Sequence, residues 1–170
     1  MDGIDGLVAS NLICLLIMRS NLGDSSYITL VALLLGFLIF NWSPAKIFMG
    51  DSGSTFLGGS LVYALISLDD IYQIMGLHIA SLPLILDAII CLIIRFLNSE
   101  NIFQAHRKHL YQRLNQAGMS HNKVSSIYLI ATVSLSLSYL LVNIQFQIIV
   151  FIFIFILAYI MDKKIAEPFK

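Results

Sequence analysis

Six stretches of the chain run almost without charge, at roughly residues 6–18, 27–40, 56–68, 74–97, 127–142 and 146–161. Several are shorter than the ~20 residues that a straight membrane-crossing helix needs. Flanking polar residues and tilt can absorb such mismatches. The fourth stretch is long, so its start tilts or lies along the interface. Polar residues gather in three other places: MDGID at the start, FNWSPAKIFMGDSGSTFLGG at 40–59, and QAHRKHLYQRLNQ at 104–116. The pattern predicts an all-α fold, a polytopic transmembrane helical bundle of about six spans, with cytoplasmic loops forming the site. No internal repeat or low-complexity linker interrupts it.

Composition strengthens this reading. Hydrophobic residues make up 58% of the 170 residues and charged ones 12%, with a mean hydropathy of +0.87. Soluble domains run at about 45–50% apolar and about 25% charged. The chain is therefore expected to be an integral membrane protein. Its formal net charge of zero gives no basic bias towards nucleic acid. Cys14 and Cys91 both lie inside apolar runs and read as small core or lipid-facing residues, not a disulfide framework. MDGIDG lacks the basic segment of a cleavable signal peptide.

The basic residues orient the spans. If the spans alternate and the 41–55 loop is cytoplasmic, residues 1–5, the loop at about 98–126 and the tail from Asp162 share its side. Nine of the ten Lys and Arg residues then fall there: Lys46, Arg95, Arg107, Lys108, Arg113, Lys123, Lys163, Lys164 and Lys170. Only Arg19 falls on the other side. Such a bias marks the cytoplasmic face. All three polar segments can then meet at one surface, and the connections near 19–26, 69–73 and 143–145 are too short to build a site.

Asp2 and Asp5, spaced i, i+3, would share a face if they sat on a first helical turn, either as simple capping or as part of a site. Gly3 and Gly6 beside them allow close approach to the backbone. Asp51, in MGDSGS, reads either as an N-cap or as part of an anion- and metal-binding loop. Three carboxylates at one surface suit a hard cation such as Mg²⁺ that keeps substrate phosphates among its ligands. Asp87 lies inside the fourth apolar run and is expected to be buried against a polar or basic partner near the cytoplasmic end; Arg95 lies about two turns away. His106 and His109, with Arg107 and Arg113, form a cationic loop suited to phosphates, or to anionic lipid headgroups. His78 and His121 carry no such company, and His78, towards the outer part of the fourth stretch, reads as structural. There is no Cys/His zinc spacing, Walker A or Rossmann pattern, and GDSGS lacks the G-x-S-x-G spacing of a hydrolase turn.

DGIDGL, N-x-x-PAKIFMGDSGS and HRKHLYQRL occur in that order along the chain. Together they resemble the polyprenyl-phosphate N-acetylhexosamine-1-phosphate transferases of glycosyltransferase family 4. That family includes the enzymes that start O-antigen, common-antigen and teichoic-acid synthesis, and the phospho-N-acetylmuramoyl-pentapeptide transferase. The HRKHLYQRL form is most similar to the O-antigen-initiating branch. The resemblance implies transfer of a sugar 1-phosphate from a UDP-sugar to undecaprenyl or another polyprenyl phosphate, with release of UMP. It implies Mg²⁺, with Mn²⁺ as an alternative, held by Asp51 and Asp2. It implies catalytic roles for Asp2, Asp5, Asp51, His106, Arg107 and His109. Substrate contacts would come from Gly3, Asn41, Lys46, Phe48, Ser52 and Arg113, with Asn41 and Phe48 at the uridine. The location implied is the bacterial inner membrane, multi-pass, with the active face cytoplasmic.

The resemblance covers residues 1–170 as the C-terminal portion of the family's domain. The Asp-Asp pair of the family's N-terminal half, tied to the lipid phosphate, has no counterpart here, and neither do the asparagines upstream of DGxDG. The expected partners are a UDP-sugar, a polyprenyl phosphate lipid and the membrane, together with a separate N-terminal half or a second copy. A truncated or split-gene fragment, inactive without its N-terminal partner, is the alternative reading. An intramembrane transporter using Asp87 is the other rival, and the clustering of polar residues at one face disfavours it.

Overall fold

The computed structural model describes residues 3–104 and 106–169. Asp2, expected as a catalytic and metal-binding residue, lies outside the described residues. Seven helices follow one another: α1 (Leu7–Asn21), α2 (Tyr27–Asn41), α3 (Gly50–Ile66), α4 (Ile71–Leu97), α5 (Leu110–Gln116), α6 (His121–Leu141) and α7 (Ile144–Lys164). No strand occurs among the described residues. Six of the helices occupy the six apolar stretches. The seventh, α5, is a short helix inside the large polar loop, held by its buried Tyr111 and Leu114.

By length and composition, α4, α6 and α7 are long and apolar enough to cross a membrane. Helices α1 and α2 are apolar but have 15 residues each. Each therefore reaches only about 22 Å, short of the ~30 Å hydrocarbon layer. Bilayer thinning and flanking polar residues close such a gap.

Two expectations need correction. Helix α3 begins at Gly50, six residues before the predicted apolar stretch, so Asp51, Ser52 and Ser54 are helical. Polar side chains suggested a loop there, yet the first turn of a helix has free N–H groups and tolerates polar residues well. Asp51 is accordingly in the first turn and is not the N-cap, which is Met49. Asp5 is not on a helix either. It lies in the turn that precedes α1.

Helix α1 is the hub, packing on α2 and α6 above all and also on α3 and α4. Leu7, Ala9, Leu15 and Leu16 are completely covered. Interior polar side chains bridge the helices, as an apolar medium favours. The Thr132 hydroxyl donates to Asn11 Oδ1 at 2.7 Å, and Asn11 Nδ2 donates to Leu7 O at 2.8 Å. Gln147 Nε2 donates to the carbonyls of Gly76 at 2.7 Å and Leu135 at 3.2 Å, tying α7 to α4 and α6. Much of the rest of α7 presents Ile, Phe and Leu outward, a surface suited to lipid.

The six longer helices gather their ends into two groups. At one end, Arg19 Nε donates to Ala64 O at 3.1 Å and its Nη2 to Ser67 O at 3.3 Å, joining the ends of α1 and α3. The other end gathers the turn at 3–6, the 42–49 loop, the 98–109 loop, α5 and the segment after α7. The described cations Lys46, Arg95, Arg107, Lys108, Arg113, Lys123, Lys163 and Lys164 lie towards this end.

One packing contact is tight enough to test. A Cβ placed on Gly76 would meet the Tyr139 ring at 2.6 Å, whereas one on Gly36 meets nothing within 4 Å. Gly76→Ala is expected to destabilise the bundle by about 1–3 kcal/mol through overpacking. Gly36→Ala is expected to leave stability unchanged or raise it slightly. Reversible unfolding in detergent or bicelles checks both.

Candidate functional site

The basic end is organised by one face of α4. Asp87, Cys91 and Arg95 follow at intervals of four and therefore form a stripe, and all three are buried. Asp87 accepts hydrogen bonds from the Leu110 amide at 2.8 Å, the Tyr111 amide at 3.3 Å and the Tyr128 hydroxyl at 2.6 Å. Leu110 and Tyr111 open α5, and their N–H groups are among those that a helix leaves unpaired at its start. A carboxylate from α4 thus caps α5 while a phenol from α6 holds the same carboxylate. Negative charge at a helix N-terminus is also favoured by the helix dipole.

The histidine loop is draped over this anchor. His109 Nδ1 lies 3.6 Å from Asp87 Oδ1, and the His109 ring stacks on Tyr111 at 5.2 Å. The ring of His106 lies 4.9 Å from that of His109, and its Nδ1 lies 4.0 Å from Cys91 Sγ. Burial, reinforced by the cation of Arg95, holds the His106 pKa below its ordinary value. Glu100 bridges two cations, accepting from Arg95 Nε at 3.1 Å and Lys108 Nζ at 2.7 Å. The Lys108 hydrogen bond is the main cause that lowers the Glu100 pKa.

The turn at 3–6 locks the other two polar segments together. Asp5 Oδ2 accepts from the Ala45 amide at 3.2 Å, and Asp5 Oδ1 lies 3.2 Å from His121 Nδ1. Ser125 Oγ donates to Asp5 O at 2.6 Å. The Gly6 amide donates to Asn41 Oδ1 at 3.1 Å, while Asn41 Nδ2 donates to Ile47 O at 2.9 Å. Gly6 has a φ of 71°, and a Cβ there would meet the Trp42 ring at 2.7 Å. Only glycine suits both conditions. Gly3 sits against α5, where an added Cβ would lie 3.2 Å from Gln112 Nε2. The turn at 3–6, the loop after α2 and the histidine loop therefore form one continuous wall.

Residues 1–69, which contain both the turn and that loop, match the profile of glycosyl transferase family 4. The chain belongs to this family. It is 36% identical over 148 residues to a probable undecaprenyl-phosphate N-acetylglucosaminyl 1-phosphate transferase of Bacillus subtilis (strain 168), covering 78% of this chain and 41% of that protein. It is 34% identical over 145 residues to a phospho-N-acetylmuramoyl-pentapeptide-transferase of Clostridium perfringens (strain 13 / Type A), covering 78% of this chain and 44% of that protein. The corresponding Kosmotoga olearia transferase is 48% identical over 62 residues, 35% of this chain and 20% of that protein. The chain thus spans less than half the length of these curated relatives. No solved structure matches it.

Within this family 4 chain, the residues singled out in the sequence divide into two groups. Asp51, Ser52, Lys46, Phe48 and Arg107 are exposed, Phe48 at 70%. No hydrogen bond or ion pair engages the Asp51 carboxylate among the described residues. Asn41, Asp5 and Arg113 are engaged by the chain itself. The guanidinium of Arg113 donates to Lys108 O at 3.1 Å, to Glu167 O at 2.9 Å and to Asp162. It also lies over the Phe169 ring at 5.5 Å. Arg113 therefore fastens the histidine loop to the segment after α7.

Asp87 is buried against polar partners, as the sequence led one to expect, and these are two amides and a phenol. Arg95, two turns along the same stripe, pairs with Glu100. One reading of the sequence is corrected. His121 is not solitary, since it faces Asp5 across 116 residues of chain. No local pattern announces that contact. The Asp87, Cys91 and Arg95 stripe was visible as an i, i+4, i+8 spacing, but its partners lie in α5 and α6.

Removing the anchor has a defined cost. Asp87→Ala leaves two buried amides and a buried hydroxyl unpaired and is expected to lower stability by about 3 kcal/mol. Tyr128→Phe removes one charge-assisted hydrogen bond and is expected to cost about 1.5 kcal/mol. Asp87→Asn, which keeps an acceptor, falls between wild type and Asp87→Ala. Unfolding measured in the same detergent ranks the three, and wild-type stability in Asp87→Ala contradicts the assignment.

Proposed function

We propose that this chain forms the nucleotide and phosphate wall of a transferase. The reaction moves an N-acetylhexosamine 1-phosphate from a UDP-sugar to polyprenyl phosphate, undecaprenyl phosphate in a bacterium, and releases UMP. This would begin a cell-surface polysaccharide such as O-antigen. The observation that carries the reading is the joining of DGIDG to the PAKIF loop through Asp5–Ala45 and Gly6–Asn41, within the family-matched residues and against the histidine loop. The concentration of Lys and Arg at that end supports a cytoplasmic face of the inner membrane.

Each residue has a role that its surroundings allow. Phe48 offers an exposed ring to the uracil, and Asn41 shapes the loop that presents it. Arg107 and Lys46 supply unpaired cations for the diphosphate. His109 and His106 border the same surface, with His109 oriented by Asp87 and Tyr111. Asp5 and Arg113 position the wall.

The donors also fit Mg²⁺. Asp51 offers an exposed carboxylate at the start of α3, an oxygen ligand of the kind a hard cation takes alongside substrate phosphates and water. Asp2 is the second proposed ligand, and Mn²⁺ is an alternative ion. When bound there, the ion would neutralise charge on the diphosphate. An oxygen of the lipid phosphate attacks the β-phosphorus, and the bond to the oxygen bridging the two phosphates breaks as UMP departs. The chain contributes mainly positioning and electrostatics.

The test is Mg²⁺-dependent UMP release from a panel of UDP-sugars with undecaprenyl phosphate in nanodiscs. The chain is assayed alone and co-expressed with the amino-terminal portion of the B. subtilis relative. Asp51→Asn is expected to reduce turnover by about 100-fold or more, a loss of the size seen when one electrostatic group is removed. Normal turnover in that variant would sink the assignment. Release only on co-expression supports the second reading, a fragment that needs an N-terminal partner, which draws on the chain spanning 41% of its B. subtilis relative.

A further inference from the structure

We propose that Cys91, His106 and His109 form a thiolate–imidazole site for a borderline-soft divalent ion, Zn²⁺ above all. This site is separate from the hard-cation chemistry of Asp51. The three residues come from two segments with no metal-binding spacing in sequence, which is why the pattern of the chain does not reveal it. The fold brings one donor atom from each within 4.8 Å of the others.

Donor type and surroundings support the assignment. One sulfur and two imidazole nitrogens match the ligands of Zn²⁺, whereas Mg²⁺ takes oxygen. With Zn–S at about 2.3 Å and Zn–N at about 2.0 Å, tetrahedral coordination needs a sulfur–nitrogen separation of about 3.5 Å. Cys91 Sγ and His106 Nδ1 are already at 4.0 Å. Closing that pair asks for about 0.5 Å of movement, and the remaining donor pairs start from within 4.8 Å. The competing hydrogen bond, from the Lys108 amide to His106 Nδ1, is long at 3.4 Å.

His109 adds an independent observation. Its Nδ1 is buried and has no hydrogen-bond partner among the described residues, yet it lies 3.6 Å from Asp87 Oδ1. A carboxylate behind a ring nitrogen is the arrangement that orients metal-bound histidines. Here it favours the tautomer protonated at Nδ1 and leaves Nε2 as the lone-pair nitrogen. The Cys91 thiol would release its proton to solvent on binding. Glu100, paired with Arg95 and Lys108, offsets the cations on either side of the cluster. Three protein ligands leave a fourth position for water or an anion. An ion held there would fix both histidines against α4.

Cobalt reports such a site directly. The full chain in nanodiscs is titrated with Co²⁺ while its near-ultraviolet and visible spectra are followed. The expected result is a single site with a thiolate-to-cobalt charge-transfer band and the intense ligand-field bands of tetrahedral cobalt, both removed by Zn²⁺ but not by Mg²⁺. Cys91→Ser should abolish the charge-transfer band, and Cys14→Ser should leave it intact. His106→Gln, which keeps the thiol, should weaken binding by about tenfold or more, with helicity by circular dichroism confirming that the variants fold. No charge-transfer band, a band that survives Cys91→Ser, or unchanged affinity in His106→Gln overturns the proposal.

Discussion

One buried carboxylate organises the basic end of this bundle. The Asp87 side chain is 5% exposed and accepts from two backbone amides and a phenol. A lone charge at that depth would be costly. Three donors from two other helices compensate it, and in doing so they fix α5 and the histidine loop on α4. The orientation of His109 follows through the stack with Tyr111, and the edge-on contact of Tyr111 with Tyr128 at 6.3 Å closes the unit. The proposed phosphate wall depends on this anchor although Asp87 itself does not face it.

The division between engaged and exposed polar residues follows from the same constraint. Near a membrane surface, backbone groups in irregular segments need partners. Asn41, Asp5 and Arg113 supply them, each tying together segments far apart in sequence. Phe48, Lys46, Arg107 and Asp51 are left projecting from the framework those contacts create. A family 4 chain can thus hold a rigid wall with few residues and still leave aromatic, cationic and anionic groups exposed on it. Cys91 is a by-product of the same α4 stripe. Its position beside two histidines comes from the docking of the loop, not from any spacing in the chain.

Much of the architecture was legible in the sequence because apolar runs, helix length and the placement of cations are local or additive properties. Six of the seven helices coincide with apolar runs, and the ends of the helices gather as alternation requires. The start of α3 was misplaced because GDSGS looks like a loop by composition while its backbone is helical. The short α5 was missed because seven residues of LYQRLNQ make little pattern without the carboxylate that caps them. The contacts Asp5–His121, Arg113–Asp162 and Asp87–Tyr128 span 41 to 116 residues of chain, and pairings at such separations leave no periodic trace. The motifs located the wall, and only the fold showed which of their residues support it and which are free.

The central claim is that Asp87 holds the histidine loop in place through the first amides of α5. Site-resolved hydrogen exchange of the Leu110 and Tyr111 amides, in the wild-type chain in lipid nanodiscs, tests it most directly. Amides at the first positions of a helix have no helical partner and ordinarily exchange quickly. The account predicts that these two are strongly protected, as slowly exchanging as the buried amides of α6. Exchange of both at the rate of an unstructured loop would contradict it.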